Sequence, residues 1–221
     1  MFRMSSVVCL VALAAQTLPA QTRSNYSGVL TAGYRSGPGL EALVVADHVL
    51  GRTPLRVRLG LRYAAVGAGR AMDARHVFIN DNTNGTPEES AHTFGLKLDL
   101  LYPVHLFGQS HLYAFGGLRR AWYMADYRFV DGNEDFEVTS NHWGLGGGLE
   151  KRYPVSPRVA LTLAVGLDYY FPSAIYGHDT TYFPDGTSVN GRPGYTYADA
   201  DNAVGQPKLD PQVTLGFELR F

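Results

Sequence analysis

Ser140, His142 and Glu150 are the nearest the sequence comes to a nucleophile, a base and an acid. An imidazole that takes a proton from a serine hydroxyl makes an oxygen nucleophile for ester or amide carbonyls, provided the groups meet in a site that a substrate can reach. On a β-strand, residues of one parity share a face. Ser140, His142 and Glu150 therefore look the same way as Gly144, Gly146 and Gly148, while Trp143, Leu145 and Leu149 look the other way. Asp131, Asn133 and Asp135 open like a calcium loop, but Phe136 stands where the loop needs glycine and no Glu occupies its twelfth position. The run Asn80 to Gly85 fails in the same way, and both read as turn chemistry. His76, His92, His105, His111 and His178 lack ligand spacing. No metal and no cofactor is expected.

The elements that hold these residues are strands. From Arg158 to Phe171, Val159, Leu161, Leu163, Val165, Leu167, Tyr169 and Phe171 alternate with Arg158, Ala160, Thr162, Ala164, Gly166, Asp168 and Tyr170. Residues 55–63 and 94–102 repeat the pattern, with Arg56, Arg58, Gly60 and Arg62 opposite the first apolar face and Gly95, Lys97 and Asp99 opposite the second. Period-two alternation over this length means one apolar and one polar environment. Segments 26–35, 40–50, 111–129, 137–152 and 212–221 bring the count to eight strands. In 111–129 the adjacent Arg119 and Arg120 break the alternation, which predicts either a bulge or a strand running beyond the apolar layer.

Arg3, the apolar run from Val7 to Ala15 and small residues up to Ala20 read as a secretory signal peptide, 1–20, with Ala14 a rival cleavage site. The remainder, 21–221, is one β domain. Cys9 is the only cysteine and lies within that signal, so disulfides and thiol chemistry are not expected. Of 19 Lys and Arg one is Arg3, leaving a near balance with 20 Asp and Glu and no basic excess of the kind nucleic acid requires. The 25 glycines and 14 tyrosines fit an all-β chain with aromatic belts. The connections sort by length. Turns 50–54, 103–110 and 153–157 are short; among the others, about 67–91 and 172–210 are long and polar. Short turns on one rim and long loops on the other mark an all-β, eight-stranded, antiparallel up-and-down transmembrane β-barrel, with its apolar face on lipid.

The final residues, Gln212 to Phe221, sharpen this. They alternate perfectly and stop on an aromatic. The chain resembles the eight-stranded outer-membrane β-barrel superfamily, which includes the OmpA membrane domain, OmpX and OmpW, over essentially all of 21–221. The resemblance implies a place in the bacterial outer membrane, among its lipids. It also implies that Leu215, Phe217, Leu219 and Phe221 form the signal read by the barrel-assembly machinery. Lipid A deacylase barrels of this architecture present a His-x-Ser order to the membrane. Here the order is reversed and the face is the inner one, so no catalytic residues are expected.

An eight-stranded barrel is just wide enough to be filled by side chains or to hold one small ligand. Charges there persist only when paired. Arg58, Arg62, Lys97, Asp99, Asp168 and Glu150 are expected to form a lumen network, whereas Arg35, Arg56, Arg158 and Arg220, near strand ends, are expected to stay hydrated at the rims. Tyr176, Tyr182, Phe183, Tyr195 and Tyr197 in the last long loop either contact an extracellular or envelope protein or pack together over the barrel mouth. Residues 120–139 can also extend as a hairpin beyond the membrane. The expected role is therefore non-enzymatic: envelope structure or surface interaction around a filled lumen. A narrow pore or binding barrel for small or hydrophobic solutes, passing Gly60, Gly95, Gly144 and Gly166, is the alternative, and a lipid-modifying enzyme the third.

Overall fold

The computed structural model describes residues 26–51, 53–106 and 108–221; the signal segment 1–20 lies outside them. The chain runs through β1 (Tyr26–Arg35), β2 (Pro38–Asp47), β3 (Arg56–Val66), α1 (Ala71–Phe78), β4 (Thr86–Pro103), β5 (Leu112–Val130), β6 (Asp135–Pro154) and β7 (Val159–Tyr170). Three short strands follow, β8 (Ile175–Gly177), β9 (Thr180–Tyr182) and β10 (Ser188–Val189), then α2 (Tyr197–Ala203) and β11 (Leu209–Arg220). Each of β1 to β6 pairs antiparallel with the next, while β11 pairs with both β7 and β1. That closes an eight-stranded up-and-down barrel, and closure removes every free edge within the wall.

The wall is apolar outside and polar inside, the inverse of a water-soluble barrel. Leu30, Leu59, Leu61, Leu98, Leu163, Val213 and Leu215 are exposed, whereas Arg58, Lys97, Asp99 and Asp168 are buried. Tyr34, Tyr63, Phe94, Trp122, Trp143 and Tyr169 ring the outer face toward the long-loop rim; Tyr26, Tyr102, Tyr153 and Phe221 ring it toward the short turns. Phe94 to Tyr102 is nine residues, the length with which a tilted strand crosses the hydrocarbon layer (~9–11). The aromatic rings therefore mark the two membrane interfaces.

Three strands outrun this band: β4, β5 and β6 have 18, 19 and 20 residues, against 10–12 in the other wall strands. The pairing Leu118↔Leu98, Arg119↔Lys97 and Arg120↔Leu96 is continuous, so there is no bulge at the adjacent arginines. Arg119 faces the lumen and Arg120 faces out. The long loops are shorter and more ordered than their composition implies. β4 begins at Thr86 and not near residue 92, and the 67–85 connection contains α1. The 171–208 segment adds β8, β9 and β10 to the upper edge of β6, through Val138↔Gly177 and Ser140↔Ile175, before α2.

Candidate functional site

The lumen is built by the inward parity of every wall strand. β3 contributes Arg58 and Arg62, β4 Lys97 and Asp99, β5 Arg119, β6 Glu150 and β7 Asp168. Arg119 occupies the middle: its Nη1 donates to Asp99 Oδ1 (2.6 Å) and its Nε to Asp168 Oδ1 (2.7 Å). Arg58 donates through Nε and Nη2 to Asp99 Oδ2 (3.0 and 2.8 Å) and through Nη1 to Glu150. Arg62 reaches Asp168 Oδ2 (2.8 Å) and the Tyr170 hydroxyl, with Asp210 at 3.5 Å. Lys97 Nζ donates to Glu41 Oε2 (2.9 Å), which also lies 2.7 Å from Arg35 Nη2. Arg35 Nε and Asp168 Oδ1 are linked through the Gln212 amide (3.2 Å each).

Five cations (Arg35, Arg58, Arg62, Lys97, Arg119) thus meet five carboxylates (Glu41, Asp99, Glu150, Asp168, Asp210) in one connected set. Balance is what a space shielded from water demands, because an unpaired ion there keeps its full desolvation penalty. Two glycines make room for it. A Cβ on Gly95 would stand 2.7 Å from the Arg62 side chain, and one on Gly146 would run into Asp168 and Arg119. These two inward glycines are therefore sockets for long side chains. Arg35 and Arg56 are not hydrated rim groups: they are 1 % and 4 % exposed. Arg56 joins Asp47 (2.5 Å) and Glu218 (2.7 Å) in a second cluster toward the short turns, completed by Arg152 on Glu218. Arg158 and Arg220 are exposed.

Above the outer aromatic ring the interior changes character. α1 and α2 lie against the inward face of the extended β4–β5–β6 sheet. Phe78, Val77, Ala74, Ala200 and Ala203 pack there on Tyr123, Tyr127, Phe129, Phe136 and Val138. The apolar positions of each short helix supply one packed face, and α2 starts with a capping box between Thr196 and Asp199. Tyr123 and Tyr127 both donate to the Ala68 carbonyl, the former at 3.0 Å, which ties the chain before α1 to β5. Burial pushes the Tyr123 phenol up to about 12 and the Tyr127 phenol higher still, so both remain donors at neutral pH. Arg75, fully buried, donates to the Asn84 carbonyl (2.8 Å), Asn84 Oδ1 (2.7 Å) and Asn80 Oδ1 (3.2 Å) and sits 4.4 Å over the Phe129 ring. Asn84 and Asn80 in turn donate to Asn133 and Glu134. The two loops that resemble calcium loops are thus drawn together by hydrogen bonds, with the Arg75 guanidinium among the oxygens of the first. Among the described residues no group of three His, Cys, Asp or Glu side chains could hold a metal.

No family model and no curated protein matches the sequence. Among solved structures, a major outer membrane protein from Thermus thermophilus superposes with a TM-score of 0.70 at 27% identity, over 89% of this chain and 98% of that one. The chain is an eight-stranded outer-membrane β-barrel. Ail, the attachment invasion locus protein of Yersinia pestis, aligns over 90% of this barrel and 99% of its own chain at 8% identity (TM-score 0.49), and Acinetobacter baumannii CarO over 91% and 100% at 12% (0.43).

Placed on this barrel, the residues singled out by sequence part ways. Ser140 and His142 do meet: Nδ1 of the imidazole bonds the Phe171 carbonyl (3.0 Å), which can only accept, so Nε2 accepts from Ser140 Oγ (2.7 Å). Both residues are 1 % exposed, the orienting group is a carbonyl and not an acid, and Glu150 is held by Arg58. Leu215, Phe217, Leu219 and Phe221 line the outward face of the barrel. Of the loop aromatics, Tyr176 is exposed, while Phe183, Tyr195 and Tyr197 are half-buried. Tyr182 is not a surface group. It is 1 % exposed, donates to the Val77 carbonyl (3.0 Å) and accepts from the Arg192 amide (3.1 Å), because β9 turns it into the core over the barrel mouth. Arg119, the centre of the lumen network, is a residue that sequence reasoning missed, as is Asp210 beside Arg62. The one signal for Arg119 is that it shares parity with Gly117, Ala121 and Tyr123, the weakly apolar face of β5.

Proposed function

We propose that this barrel is a non-enzymatic, non-conducting protein of the bacterial outer membrane that presents a rigid extracellular platform to an envelope or extracellular protein. In this reading residues 1–20 export the chain, and Leu215, Phe217, Leu219 and Phe221 are read by the barrel-assembly machinery. The observation that carries the proposal is that the barrel axis is filled twice. A neutral ion network occupies the membrane layer, and a packed apolar core lies over the mouth. What remains outside is the polar outer face of the extended sheet, with Glu88, Asp126, Arg128, Glu137 and Tyr176 exposed on strands that are hydrogen-bonded to their neighbours. Binding residues on a rigid support lose little entropy on contact.

Single-channel recording of the mature chain in planar bilayers tests the first half. The expected result is no steady conductance. Ohmic steps whose size changes in Arg62→Ala or Asp99→Ala would overturn the filled lumen and make the barrel a small pore.

A further inference from the structure

Among the described residues two cations lie on the outward face between the aromatic rings, and they differ. Lys151, near the short-turn rim, donates to Gln109 Oε1 (2.9 Å) and the Ser110 carbonyl. Arg120, at the opposite rim, has no hydrogen-bond acceptor and no carboxylate partner among the described residues. Its guanidinium stands 5.0 Å from the Trp143 ring centre and 5.4 Å from that of Trp122. Trp143 is its cross-strand partner, and Leu96 flanks it on β4. The nearest outward carboxylate on its own strand is Asp126, six residues along, about 20 Å at ~3.4 Å per residue. Its neighbour Arg119 takes the lumen carboxylates, which the barrel wall separates from Arg120.

A guanidinium carries five N–H donors in a planar fork and cannot lose its charge. The tryptophan faces satisfy its charge in part but accept none of those hydrogen bonds well. The fork must be met from outside the protein. At the level of the outer aromatic ring, the acceptors of matching geometry are the phosphate oxygens of lipid headgroups, which a guanidinium binds bidentately. We propose that Arg120, with Trp122 and Trp143, forms a binding site for the phosphate of an anionic lipid in the outer leaflet. The fork would take two phosphate oxygens, while the indoles and Leu96, Leu118 and Leu145 would carry the upper part of its acyl chains. This assignment rests on the membrane placement proposed above.

The two tryptophans of the chain are the two that flank Arg120, so tryptophan emission reports this site alone. The mature chain refolded in uncharged maltoside micelles would be titrated with phosphatidic acid, with the diacylglycerol that lacks only its phosphate, and with inorganic phosphate. The expected result is a saturable emission change with phosphatidic acid, at least tenfold tighter than with either of the others. Arg120→Gln should bring it down to the diacylglycerol level, and Arg120→Lys, which keeps charge but loses the fork, should fall between. Equal binding of phosphatidic acid by Arg120→Gln and by the parent, or diacylglycerol binding as well as phosphatidic acid, would overturn the site. Inorganic phosphate binding as tightly as phosphatidic acid would replace the lipid with a free anion. Heat-modifiable gel mobility separates the two levels of the reading: a parent chain without it would remove the membrane placement itself, whereas a heat-modifiable chain without phosphate preference removes only the site.

Discussion

β5 passes through two regions of opposite design. Within the membrane layer its outward face carries Leu118 and Trp122, with Arg120 between them against the tryptophan rings, and its inward face carries the ion-paired Arg119. Beyond the aromatic ring the outward residues are Asp126 and Arg128 and the inward ones Tyr123, Tyr127 and Phe129. The parity never changes, since odd residues face in along the whole strand, yet the chemistry of the two faces is exchanged. β4 does the same between Phe94 and Glu88, and β6 between Trp143 and Glu137. The cause is the solvent. Where lipid covers the outside, apolar side chains gain nothing by turning inward, and the narrow interior is left to paired ions and hydrogen bonds. Where water covers the outside, the hydrophobic effect is restored and the interior becomes a conventional apolar core. One strand can serve both because its backbone bonds are made laterally and do not depend on which face is polar.

The two regions should therefore fail in different ways. The largest effect is expected from Arg119→Met, which leaves Asp99 and Asp168 short of their shared cation. Breaking a buried pair in this manner costs about 3–5 kcal/mol, and the temperature at which the gel-shift of the folded barrel is lost should drop sharply. An unchanged transition would mean that the remaining cations absorb both carboxylates, and that the network is looser than its geometry. Phe78→Ala comes next. Removing a buried ring costs about 3 kcal/mol, but only from the core above the membrane. Proteases should then cut within 67–85 and 171–208 while the barrel keeps its heat-modifiable mobility. Loss of both together would show that the two regions fold as one unit.

The smallest effect is in pH. Tyr123 and Tyr127 have phenols raised by burial above the ordinary value of 10.0. The folded state thus holds their protons more tightly than the unfolded one. Their contribution is complete below pH 10; that of Tyr123 is lost as the pH rises through about 12, and that of Tyr127 goes on falling beyond it. Protection of the extramembrane core against proteolysis should decline over that window, and Tyr123→Phe should flatten the decline. A profile that is level from neutral pH to about 12 would detach these phenols from the stability of the core.

Much of the barrel was legible because the membrane simplifies the code. With lipid on one side and a polar lumen on the other, strands such as 158–171 and 212–221 alternate cleanly, and parity alone sorted Arg58, Lys97, Asp99 and Asp168 onto one face. Arg119 and Arg120 defeated the same rule. Two adjacent arginines are symmetric in sequence, and only the register with Lys97 and Leu96 shows which of them meets carboxylates and which meets tryptophans. The region above the membrane was the least legible. Eight and seven residues make helices too short to hold without packing. Nothing local marks Tyr182 as buried or Arg75 as the group that joins Asn80 and Asn84.

Sequence by itself determined the number of wall strands, the inversion of the wall and the identity of most of the charges inside it, because each follows from a two-residue period that survives without knowledge of neighbours. Tertiary structure alone decided how those charges pair, that the glycines among them are sockets, and that the long loops fold into a core over the mouth. Those depend on residues such as Arg62 and Asp168, which are far apart in the chain and meet only when the sheet closes.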